Sequence, residues 1–139
     1  MAKSLKTLIR VARWAVEEKQ KALGLLLERE AQIQTAIEDH HKALESERTL
    51  ASSDTMGVGR GFGNYFDQWR RQLEHYKSLL TQVQEQIFAA REALAEAYRE
   101  QKTVEEVQKQ RDIKAALEAD RKERAELDEI GLAQHLKKK

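Results

Sequence analysis

The chain has 139 residues, the size of one ordinary domain, with 35% charged and 6% aromatic side chains and neither proline nor cysteine. Its 25 basic and 24 acidic residues leave a net charge of +1, which argues against the gathered basic excess that nucleic-acid binding needs. The absence of cysteine excludes disulfides and thiolate chemistry and fits the cytoplasm, and apolar runs such as Leu25-Leu26-Leu27 fall far short of a membrane span.

The segment Met1 to Val16 carries Lys3, Lys6, Arg10 and Arg13 and no acid, with Leu5, Leu8, Ile9, Ala12 and Val16 on the other face. An organelle-targeting or membrane-surface helix has this pattern. The apolar positions continue unbroken into an acid-containing helix, however, and this favours an ordinary partner-facing helix. Ser4 is the expected N-cap. Taking Leu5 as d, the d positions are Leu5, Ala12, Lys19, Leu26, Ile33, His40 and Glu47, and the a positions are Ile9, Val16, Leu23, Glu30, Ile37, Leu44 and Ala51. That is a sustained heptad seam with weak layers at Lys19, Glu30, His40 and Glu47.

The seam stops at Ser52-Ser53-Asp54. Four of the six glycines follow, at alternate positions between Met56 and Asn64. A phosphate-binding loop fails here: no lysine follows the glycines until Lys77, no strand precedes them, and Phe62 occupies the place of a third glycine. The stretch is expected to be the point where two long helices reverse.

Asn64 is the expected cap of the second helix, with Asp67 close to a capping-box position. The a positions are then Phe66, Leu73, Leu80, Ile87 and Leu94, and the d positions Trp69, Tyr76, Val83, Ala90, Ala97 and Val104. Beyond them Gln101, Gln108 and Arg111 fill seam sites, and apolar residues return out of phase at Ile113, Leu117, Leu127 and Ile130. A break near Gln108 to Asp112 is left open by this change of phase. The expected organisation is a single coiled-coil domain over 1–139: helix 1 about 4–52, a glycine-rich loop 53–63, helix 2 about 64–131 and a basic tail 132–139. The fold class is all-α, an antiparallel two-helix coiled coil (a long α-hairpin) with an overhanging C-terminal helix. Leu44 then faces Leu73, Leu5 lies near Asp112, and everything after about Leu117 is unpaired within the chain. An isolated helix of this kind is marginal in water, so a protein partner is expected to stabilise it.

Few residues offer chemistry. Glu38 and His41 form one Glu-x-x-His pair, but di-iron bundles need a second, and His75 and His135 do not supply it. A two-helix rod encloses no Ser/His/Asp set and no pocket that excludes water. No enzyme, metal or cofactor is therefore expected. The cluster of Tyr65, Phe66, Trp69 and Tyr76 has two readings. It is a seam plug, or, because Ala51 and Glu47 stand opposite, a partly exposed interface anchor.

The N-terminal run SLKTLIRVARWAVEEKQKAL and the C-terminal runs REQKTVEEVQKQR and ERAELDEIGLAQH together resemble the FliJ family, the small coiled-coil component of the bacterial flagellar type III protein-export apparatus. The likeness spans nearly the whole chain; Gly131 departs from it where the family tends to carry alanine. The resemblance implies a non-enzymatic, soluble protein similar to a rotary-ATPase stalk. It implies binding to the hexameric export ATPase, to the cytoplasmic domain of the membrane export gate and to export chaperones. It places the protein in the cytoplasm, at the inner-membrane export apparatus of the flagellar base. The gate contact it implies maps to Trp69, Leu73, Tyr76 and Leu80. By analogy with the stalk, ATPase-ring contact falls on Arg121, Arg124, Leu127, Asp128, Glu129 and Ile130. The alternatives are the equivalent stalk of a virulence secretion system and a coiled-coil tether whose overhang pairs with another copy.

Overall fold

A computed structural model describes residues 4–53 and 61–138. Two α-helices account for almost all of them: α1 is Leu5–Ser53 and α2 is Phe62–Lys137. Neither contains proline, and the non-seam positions are rich in Glu, Lys, Gln, Arg and Ala, the residues that cost a helix least. α1 starts where Ser4 caps it. The Ser4 carbonyl accepts from the Leu8 amide at 3.1 Å, and its hydroxyl accepts from the Thr7 amide at 3.3 Å.

The chain packs as two compact units. One joins Glu17–Glu96; the other joins Met1–Val16 with Ala97–Lys139. In the first unit the helices run antiparallel. Leu44 of α1 shares a cluster with Trp69 and Leu73 of α2, while the earlier Ile33 packs with the later Val83 and Ile87. Leu44 and Leu73 therefore come together as the heptads predict. Leu23, Leu26, Ile37, Leu79 and Leu80 border the Ile33 cluster.

In the second unit Ala12 and Val16 are buried. The α2 seam positions Ala97, Gln101, Val104 and Gln108 are half-buried, and every described residue from Lys109 to Lys138 is exposed. Pairing within the chain therefore ends at Gln108, earlier than the expected limit near Leu117, because Gln108 and Arg111 give the seam nothing apolar to bury. α2 nonetheless runs through this region without a break.

Three boundaries depart from the sequence reading. Asn64 is not a cap, for α2 already begins at Phe62. Phe62 packs with Tyr65 and Phe66 against the Leu44–Trp69–Leu73 cluster, so burial of the ring recruits one more turn. Asp67 is not part of a capping box and lies 3.8 Å from Arg70. Gly131 does not stop α2, which continues to Lys137. A mid-helix glycine costs about 1 kcal/mol relative to alanine, too little to end a helix followed by Leu-Ala-Gln-His-Leu, and His135 and Lys137 complement the dipole in the last turn. The expected reversal glycines Gly57 and Gly59 lie outside the described residues.

Candidate protein-docking surfaces

The aromatic start of α2 is built around one reciprocal contact. Trp69 is buried, with 7% of its surface exposed. Its Nε1–H donates to the His40 carbonyl at 2.7 Å, and His40 Nε2–H donates back to the Trp69 carbonyl at 2.8 Å. The rings stack, with centroids 4.7 Å apart and planes 4° from parallel. Tyr76 meets His40 edge-on, His41 meets Trp69 the same way, and Phe66 also stacks with the indole, with centroids 6.0 Å apart. The backbone carbonyl of His40 thus satisfies the buried indole N–H, and the backbone carbonyl of Trp69 satisfies the imidazole of this weak polar layer. Glu47 is exposed and lines a cleft with Phe62 and Tyr65.

The four residues mapped to a gate contact therefore belong to the α1–α2 seam. Trp69 and Leu73 are buried, and Tyr76 and Leu80 are half-buried. The six mapped to the ATPase ring are all exposed along α2. Leu127 and Ile130 present 59% and 54% of their surface, and Arg124 lies 3.3 Å from Asp120 one turn earlier. The structure keeps these two groups of residues in different environments, one internal and one bare.

Large exposed side chains that the motif reading passed over are Trp14, Leu25 and Phe88. All three sit outside the a and d positions, so the heptad assignment itself marks them as outward-facing. An open cleft in the Glu17–Glu96 unit is lined by Glu47, Leu50, Ala51, Ser53, Gly61, Phe62 and Tyr65.

In the other unit, Arg13 reaches Glu105 at 3.1 Å, and Gln101 donates to the same carboxylate at 3.2 Å. The Gln101 bond, and then the Arg13 bond, hold the Glu105 carboxyl below its usual pKa. A depressed folded pKa gives stability that is present above the unfolded value and lost as pH falls through the folded value. Replacing Gln101 with leucine is expected to move the Glu105 titration back upward. Carboxyl NMR shifts between about pH 3 and 6 would read this, and an unmoved titration would remove Gln101 as the main cause.

Among the described residues no group of three or more His, Cys, Asp or Glu is placed to hold a metal ion, and no helix is long and apolar enough to cross a membrane. The family described as flagellar FliJ protein matches residues 1–139. The chain belongs to the FliJ family. FliJ membership covers the full length of the sequence and accords with two long helices packed against each other and no strand among the described residues. It identifies a flagellar export-related helical protein. No curated protein and no solved structure matches the chain.

Proposed function

We propose that this FliJ-family chain is a non-enzymatic stalk of the flagellar export apparatus. It binds the export ATPase hexamer through the exposed part of α2 and couples it to the cytoplasmic domain of the export gate and to export chaperones. It acts in the cytoplasm, peripheral to the inner-membrane apparatus. The observation that carries the reading is the continuous, wholly exposed helix from Lys109 to Lys137. A helix with so little burial of its own has surface left for another protein. Its finely mixed charge suits many weak contacts with a ring rather than one dominant bond.

In this reading Arg121, Arg124, Leu127, Asp128, Glu129 and Ile130 face the ring. Tyr76 and Leu80 offer their open edges to the gate, while Trp69 and Leu73 hold the surface from within. Changing Leu127 and Ile130 together to aspartate is expected to weaken binding of the full chain to the purified flagellar ATPase hexamer by at least about tenfold, roughly 1.4 kcal/mol. Helical circular dichroism should be unchanged, because both residues are exposed. Equal affinity of the variant and the parent chain would take ring binding away from this segment.

A further inference from the structure

The exposed part of α2 has a heptad of its own. Ile113, Leu117, Asp120, Arg124, Leu127 and Gly131 are spaced 4-3-4-3-4, so they share one stripe. This stripe is displaced two residues from the seam that includes Leu94, Ala97 and Val104, which turns it about 200° around the helix. It is therefore not a continuation of the surface that α1 covers. Leu117 and Leu127 present 58% and 59% of their surface, and Ile113 46%. Asp120 and Arg124 pair with each other along their own helix, 3.3 Å apart.

The stripe reads as complementary to itself when reversed. About a centre at Lys122, antiparallel pairing sets Leu117 against Leu127 of a second copy, Asp120 against Arg124, and Ile113 against Gly131. Nothing lies within 4 Å of the position a Gly131 side chain would take, so there is open space for the larger isoleucine. Every layer matches an a site with a d site, as antiparallel coiled coils require. Parallel pairing would instead set Asp120 on Asp120 and Arg124 on Arg124, two like-charge layers in a desolvated seam. Charge thus selects both the partner and its direction.

We propose that the segment 113–131 of α2 pairs with the same segment of a second copy of this chain, antiparallel and centred on Lys122. The association is weak. Two of the central layers are ionic, and Arg121 and Glu123 each approach their own copies at the flanks. Self-pairing covers Leu127 and the edge beside Ile130, so it excludes any other protein from that face. It goes beyond the export reading and holds whether or not the ATPase binds there.

Sedimentation of the full chain over a concentration series tests it. The parent chain is expected to shift from monomer to dimer at a concentration on the order of 100 μM. Asp120→Arg alone and Arg124→Asp alone should each stay monomeric with helicity kept, because each sets like charges face to face. Their equimolar mixture should dimerise again. Because the chain lacks cysteine, a Leu117→Cys chain mixed with a Leu127→Cys chain should form a disulfide between the two, and neither should link to itself. A parent chain that stays monomeric throughout overturns the proposal, as does Leu117→Cys linking to its own copies. A monomeric parent whose Asp120→Arg variant loses ATPase binding would give the face to the ATPase instead.

Discussion

Replacing Trp69 with alanine is expected to unfold much of the Glu17–Glu96 unit rather than to trim a docking surface. The indole is buried, stacked with His40 and with Phe66, and its N–H has a partner. Truncating a buried aromatic costs about 3–5 kcal/mol. The variant also leaves the His40 ring beside a void, adding to the loss. In a domain of this size that shifts thermal unfolding down by roughly 10 °C or more. Thermal circular dichroism of the purified chain reads the shift. Trp69→Phe serves as the companion, keeping most of the ring and removing the N–H donor, and should fall between the two, losing about 1–2 kcal/mol. A Trp69→Ala chain that melts with the parent but loses a partner would return the residue to the surface role its aromatic character first suggests.

The second large effect is at Val83, the most buried side chain described, with 1% of its surface exposed. It shares a hydrophobic cluster with Ile33 and Ile87. Val83→Asp places a carboxylate there without a counter-charge, which costs several kcal/mol. Burial in such a site raises the carboxyl pKa, so the penalty is largest above that raised value and is relieved as pH falls through it and the acid neutralises. The variant should therefore be closest to the parent near pH 4 and furthest below it near pH 8. A pH-independent stability difference would mean that water reaches the position.

The core was legible in the sequence because a coiled coil has a simple rule. Each buried residue described, namely Ala12, Val16, Ile33, Leu44, Trp69, Leu73, Val83 and Ile87, is an a or d position of the heptads. Apolar residues at that spacing have one way to leave water together. What the rule could not supply is how a polar layer is satisfied. His40 and Trp69 settle each other through backbone carbonyls, which no residue spacing encodes. The ends of α2 are not legible in this way, since Asn64 and Gly131 carry local signals of about 1 kcal/mol that ring packing and a run of good helix formers outweigh. Docking surfaces are the least legible part. Exposed positions such as Arg121 or Glu129 are free of packing constraints, so their pattern reports solvation first and partners only by resemblance.

The His40–Trp69 contact has a mechanical consequence. A seam of aliphatic side chains resists separation strongly but axial sliding only weakly, since one apolar layer can be exchanged for the next. Both hydrogen bonds here cross from a ring on one helix to a carbonyl on the other. A slip of a single turn, about 5.4 Å, would break both and unstack the rings. The pair therefore acts as a shear pin. It fixes the two helices to one another along their length, so that a push delivered to one near this point is carried by both.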